Sequence, residues 1–426
     1  MPIQLFGAMF FVLLAIGMPL FLVLGTTGVT MYWLNDTPLI SAFQKMLDSL
    51  ESETLLAVPF FMMAASFMEK GGVAKALIDF VSLGVGRVPG GLAIAAVAGC
   101  TLFSAICGSS VATAMAMGAI LAPAMQRRGY PADFSLGILA ASGTLGILVP
   151  PSLSMILFAL IADESVPQLF LAGVVPGALQ AGIFVVYAMV YARRHNLPRE
   201  KPKSRAEKWR IVRDALPALS LPAIIGVGIY GGLTTVTEAS VLAAMVALVI
   251  SIFFYKGFRL RDAIWEISDA LRAAAAIVII IATALVLAQW LTASGIPTDI
   301  VRAMTDADLK PWQFLLIVNV ILFAMGMFLE TVSIMLITLP ILVPLLAPLG
   351  INPVHFAVVM VINMEMALLT PPVGLNLFVL SNVAKAPLST VSRGVTPLLL
   401  MMLVLLMLVT YLPEISLWLP ELVYGR

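Results

Sequence analysis

Long apolar runs that carry almost no charge take up most of this chain, and they leave a water-soluble fold no surface to build with. The clear runs cover about 3–34, 53–69, 90–125, 134–162, 169–192, 215–237, 239–255, 273–294, 312–349, 356–383 and 394–420. A helix needs roughly 20 apolar residues to cross the hydrocarbon core, and a helix satisfies its own backbone there. Lys, Arg, Asp and Glu supply 11% of the 426 residues and mean hydropathy is +1.06, whereas soluble chains carry about a quarter charged residues. The fold class is therefore an all-α polytopic membrane protein. The first run lacks a basic leader and an Ala-x-Ala cleavage site, so it reads as an uncleaved span.

Counting excludes several chemistries. A formal net charge of +1 gives no electrostatic basis for a nucleic-acid partner. Cys100 and Cys107 are too few for a disulfide framework and read as small packing residues. His195 and His355 form no HExxH pair, and no GxxxxGK[ST] loop is present. An enzyme is not expected, and nucleotide hydrolysis, if coupled, belongs to another chain.

Charge placement sets the orientation. The runs 90–125 and 312–349 are nearly twice the length of a crossing, with a break in the middle. Each is either two full crossings or one re-entrant hairpin. With an inside N-terminus, 20 of the 24 Lys and Arg fall on the cytoplasmic side, among them Lys70, Lys75, Arg87, Arg127, Arg128 and nine between Arg193 and Arg213. Lys45, Arg302, Lys310 and Arg426 fall on the other side, with Asp163, Glu164, Asp299, Asp306 and Asp308. The C-terminus is then periplasmic. The tally fixes sidedness and leaves hairpin and double crossing equally open.

Sliding the chain on itself by one constant offset aligns Pro123 with Pro344, Gly129 with Gly350, Pro150-Pro151 with Pro371-Pro372, and Gly173 and Pro176 with Gly394 and Pro397. The chain divides into a first repeat, 1–192, a basic cytoplasmic linker plus extra span, 193–237, and a second repeat, 238–426. The loop with Arg127-Arg128 is inside and its counterpart around Gly350 is outside, so the halves are inverted. Inverted repeats with interrupted helices are the architecture of secondary transporters.

Chemistry concentrates at the interruptions. Gly108 frees the backbone to turn, and Ser109 or Ser110 can cap the following helix; the alternative is small residues for close packing. Pro150-Pro151 removes two N–H donors and frees carbonyls around Gly143 to Leu148. Those carbonyls suit a small cation, and the helix start beyond them suits an anion; a simple proline kink is the alternative. Glu330 and Glu365 are acids at membrane depth that need a cation, a proton or a neutral hydrogen-bonded form. Hairpin tip and broken helix in each half make two oxygen-rich pockets, most economically two cation sites flanking one substrate.

These motifs resemble the large membrane subunit, of dicarboxylate type, of tripartite ATP-independent periplasmic (TRAP) transporters. The carrying residues are Gly108-Ser109-Ser110-Val111-Ala112-Thr113, Gly143-Thr144-Leu145-Gly146-Ile147-Leu148-Val149-Pro150-Pro151-Ser152, Gly173-x-x-Pro176-Gly177 and Thr370-Pro371-Pro372-Val373-Gly374-Leu375-Asn376. The resemblance spans essentially the whole chain. It implies an elevator-type transporter in which a mobile domain holds two hairpins, about 90–125 and 312–349, and two broken helices, about 134–162 and 356–383. It implies sodium as coupling ion, with Ser104, Gly108, Gly143 and Gly146 at one site and Gly326, Thr370 and Val373 at the other. Substrate would meet Ser110, Thr113, Ser152 and Asn376, and Glu330 and Glu365 would be ion-linked or structural. Expected partners are a separate four-helix membrane subunit and a periplasmic binding protein, with an organic acid as cargo across a bacterial inner membrane. Cys107 stands where Ser or Gly is usual. A stand-alone sodium- or proton-coupled dicarboxylate carrier is the alternative.

Overall fold

The computed structural model describes residues 2–35, 38–86, 88–198 and 204–425. Asp36, Arg87, Arg426 and the stretch 199–203 of the basic linker lie outside them. The described residues form helices joined by turns, with no strand among them.

The first run is two helices, α1 (Pro2–Ala15) and α2 (Leu20–Leu34). Gly17 takes a left-handed φ of 78° and Pro19 has no N–H to continue α1, so the expected single span is interrupted. Then come α3 (Leu39–Leu50), α4 (Glu53–Lys70) and α5 (Val73–Val85). Residues 90–125 form α6 (Gly91–Cys107) and α7 (Ser110–Arg127), packed on each other as a helical hairpin with a two-residue turn. The next run is α8 (Ala132–Thr144), a 3-10 turn (Leu145–Ile147), a turn-and-bend stretch over 148–152 and α9 (Leu153–Ala162). The last element of this half is α10 (Val166–Arg194).

After the linker follow α11 (Arg205–Tyr230), α12 (Val236–Val249), which ends in a π turn (Ile250–Phe254), α13 (Leu260–Ala293) and α14 (Ile296–Asp306). Thr235 and Glu238 form a capping box that starts α12. The second long run is α15 (Pro311–Gly326) and α16 (Thr331–Leu346). Then come α17 (Pro353–Ala367), a break over 368–374 and α18 (Leu375–Ala384), α19 (Leu388–Tyr411) and α20 (Glu414–Tyr424). The second broken helix starts earlier than the apolar run because Asn352 accepts the N–H groups of Val354 and His355 and Pro353 sits at the first helical position.

Elements α2 to α10 each have a counterpart in the second half at the repeat offset; α3 and α4 correspond to the single long α13. Among the described residues five helices are long and apolar enough to cross a membrane: α10, α11, α12 with its π turn, α13 and α19. The remaining apolar helices are 10 to 17 residues long and occur largely as hairpin arms or as halves of broken helices.

Two packing groups emerge. Helices α2, α3, α4, α12 and α13 pack together, with α11 against α5 and α12. The hairpins, broken helices, α10 and α19 form the other group, where α8 crosses α19 most closely. A Cβ on Gly137 would run into the backbone of Gly394 and one on Gly394 into the carbonyl of Asp133. Only glycine at both positions lets these backbones touch, which joins the first half to the second.

Candidate ion and substrate site at the helix breaks

In the first half the hairpin tip rests on the break of α8. Gly108 ends α6 in the left-handed region at φ 62°, with its N–H on the Ser104 carbonyl at 3.0 Å. A Cβ there would lie 2.9 Å from the Pro151 carbonyl oxygen. Ser109 caps α7 by accepting the Ala112 N–H. Gly146 faces the tip from the other side, where a Cβ would stand 2.7 Å from the Ser109 oxygen, and Gly143 lies against Ala114. Ser104, Gly108, Gly143 and Gly146 thus belong to one zone of tip-on-break contact. The buried hydroxyls of Ser104 and Ser142 have no partner among the described residues. An unfilled hydroxyl beside turned backbone in which Pro150 and Pro151 donate nothing is a fitting donor set for a small hard cation.

The second half repeats the contact with different parts. The tip is the turn 327–330, and the Met327 carbonyl accepts the Val373 N–H at 3.2 Å, which ties it to the break of α17. A Cβ on Gly326 would collide with Ala367. Thr370 donates its hydroxyl to the Met366 carbonyl at 2.7 Å. Gly326, Thr370 and Val373 therefore also share one zone. Both proline pairs, Pro150-Pro151 and Pro371-Pro372, are cis-linked.

Asn376 joins the halves. Its amide donates to the Ser110 hydroxyl at 2.7 Å and to the Ala140 carbonyl at 3.2 Å, and its own oxygen has no partner among the described residues. Thr113 donates to the Ser109 carbonyl at 2.7 Å. Ser152 donates to the Ile147 carbonyl and accepts the Met155 N–H, which makes it the cap of α9. Ser110, Thr113, Ser152 and Asn376 are all buried, and none lines the neighbouring cavity.

That cavity, about 350 Å3, lies between α4 and α13 on one side and the two tips and the first break on the other. Gly108, Ser109, Pro151 and Glu330 line it from the hairpin side, and Ser66, Glu69 and Asp269 from the opposite wall. Lys70 and Glu266 pair at 2.6 Å across the ends of α4 and α13, and Ser66 donates to the same carboxylate. Glu69, Asp269 and the wall function of Ser109 were not legible, because the two acids sit at the polar margins of apolar runs and resemble loop charges.

Glu365 stands apart from the cavity. It is fully buried in α17 and accepts a hydrogen bond from the Gln180 amide of α10, which also reaches the Thr144 hydroxyl at 3.4 Å. Gln180 was missed in the sequence, although an amide in the middle of the 169–192 run is the signal that marks it.

Residues 8–415 match the family model described as "Tripartite ATP-independent periplasmic transporter, DctM component". The C4-dicarboxylate TRAP transporter large permease protein DctM of Pseudomonas aeruginosa is 43% identical over 399 residues, covering 93% of each chain. The isethionate TRAP transporter permease protein DctMQ of Oleidesulfovibrio alaskensis is 34% identical, covering 98% of this chain and 66% of its own length. In fold the chain is similar to the Alcanivorax borkumensis YdaH transporter, with a TM-score of 0.62 at 14% identity over 91% of this chain and 89% of that one. With its paired hairpins and broken helices and a family match across nearly its whole length, the chain belongs to the DctM component family of TRAP transporters, a family of permease subunits and not of enzymes.

Proposed function

We propose that this chain imports an organic acid across the bacterial inner membrane by sodium symport, taking the substrate from a periplasmic binding protein and working beside a small four-helix membrane subunit. The observation that carries the reading is the doubled contact: in each half a hairpin tip lies on a helix break, and neutral oxygens gather where they meet. Sodium would enter at Ser104, Gly108, Gly143 and Gly146 and at Gly326, Thr370 and Val373. The names of the relatives support an anionic cargo, and the unmatched third of the longer DctMQ relative leaves room for a second membrane component. The basic loops face the cytoplasm, the halves are inverted repeats, and both hairpins are re-entrant. The group built from hairpins and broken helices moves as an elevator against α2–α4 and α11–α13.

The anion would be held near the tips by the starts of α7 and α9, whose N–H groups point outward from the helix ends. Asn376, Ser110, Thr113 and Ser152 shape that position from behind; their bonds to backbone and to one another fix the helix starts.

The test needs no substrate. Melting of the purified protein is followed in NaCl against equal ionic strengths of KCl and choline chloride. Sodium binding only the native state stabilises it by about 2.7 kcal/mol at 100 times Kd, so a saturable sodium-specific rise is expected. Gly143→Val and Thr370→Val should insert, lose the rise and lose uptake with the binding protein present. Full uptake in both variants would remove the sodium sites, and uptake without any periplasmic fraction would favour a stand-alone carrier.

A further inference from the structure

The sodium reading leaves the buried Glu365 unused, and a proton inventory there points elsewhere. Glu365 and Gln180 share one hydrogen bond, from Nε2 to Oε2. Each is left with one oxygen, Glu365 Oε1 and Gln180 Oε1, that is buried and without a partner among the described residues. Reversing the amide does not help, because it would set an oxygen against the carboxyl instead of an N–H. The orientation is also fixed by Thr144: its hydroxyl donates to the Ala141 carbonyl at 2.8 Å and so receives an N–H from Gln180.

No cation pairs with Glu365 among the described residues. Among the elements packed on α17, the spans of α9, α15, α16 and the 3-10 turn contain no titratable side chain. The titratable groups of the others are Tyr187, Tyr191, Arg193 and Arg194 on α10, Arg393 and Tyr411 on α19, and Glu414, Glu421 and Tyr424 on α20. None of them is hydrogen-bonded or ion-paired to Glu365, whose one hydrogen-bond partner among the described residues is Gln180. His355 lies ten residues back on α17 itself, about 15 Å along the helix. With the hydrogen of the neighbouring Thr144 hydroxyl given to Ala141, a buried carboxylate with the Gln180 amide as its one donor and no cation is a costly arrangement.

One added proton removes both difficulties. We propose that Glu365 and Gln180 form a proton-binding site, separate from the sodium sites, in which a proton on Glu365 Oε1 is donated to Gln180 Oε1. A carboxylic acid and a primary amide then share two parallel hydrogen bonds in a closed ring, and the charge is gone. Thr144 and Glu365 occupy equivalent positions of the two repeats, while the position equivalent to Gln180 is Met401. The same amide therefore touches the end of the first broken helix and the second, and the proton is held where the two halves meet.

The test is infrared spectroscopy of the full chain in lipid nanodiscs, titrated with acid and base in H2O and in D2O. Wild type is expected to show the C=O stretch of a protonated carboxylic acid at neutral pH, moved down in D2O. Glu365→Gln should lose that band, and Gln180→Leu should displace it upward by removing both amide contacts. Superimposable acid bands in wild type and Glu365→Gln would overturn the proposal. If Glu365→Gln does not insert, Gln180→Leu decides: a band unmoved from wild type rules out the pair.

Discussion

The first tip-on-break contact has glycine on both sides, Gly108 in the tip and Gly146 in the break, whereas the second relies on Gly326 at the end of the helix that leads into the tip. Gly146 presses on the backbone of Ser109 and Ser110, whereas its counterpart in the second repeat is Ala367, which presses on Gly326. The first tip is two residues long with Ser109 as its cap; the second is a four-residue turn with Glu330 at the cap position and no side-chain cap bond. The difference teaches that, at the equivalent break positions Gly146 and Ala367, both halves keep a close approach to the tip while the glycine that permits it lies on opposite sides.

Substitutions can break this comparison or sharpen it. The largest effect is expected where both halves depend on one crossing: Gly137→Leu should separate α8 from α19 and leave no monodisperse protein on size-exclusion chromatography. Next, Gly146→Ala puts a methyl against backbone that cannot step aside, at a cost of about 1–3 kcal/mol, with the sodium-specific melting shift lost. Gly326→Ala should do similar damage in the second half, but there the obstacle is the Ala367 side chain. Ala367→Gly should therefore restore the Gly326→Ala protein and do nothing for Gly146→Ala. A double-mutant cycle in melting temperature reads this coupling, and equal rescue of both would cancel the distinction between the halves.

Smaller effects test the joint between them. Asn376→Leu removes the donor to Ser110 and Ala140, and leaving such buried acceptors unfilled costs about 1–3 kcal/mol, seen as a lower melting temperature in any salt. Lys70→Met removes a pair whose lysine side chain is 49% exposed. Such pairs contribute no more than about 1 kcal/mol, so melting should hardly move.

The two breaks and the helix stop at Gly108 could be located by reading, because proline and glycine act on the backbone within one or two residues of themselves. The correspondence of the halves rested on the same residues. What could not be read depends on side-chain direction in three dimensions. Thr113 and Ser152 are hydroxyls at plausible places, yet each donates to a backbone carbonyl close by in sequence, a local use that composition does not distinguish from ligand binding. The interruption between α1 and α2 was hidden because Gly17 and Pro19 sit inside an unbroken apolar run. Glu69 and Asp269 meet across a cavity from helices far apart in the chain, which no local pattern records.

The first tip-on-break zone holds Ser104, Gly108, Gly143 and Gly146 and no carboxylate. Under the proposed symport, a sodium ion there would bring an elementary charge that no carboxylate of this zone meets directly; the nearest acids described, Glu330, Glu69 and Asp269, line the adjoining cavity. If the site moves as proposed, each uncompensated charge carried with it would take up electrical work of about 2.3 kcal/mol per 100 mV. The voltage then acts on the sum of ions and anionic cargo, so two sodium ions with a monoanion would be driven inward by it and two with a dianion would not.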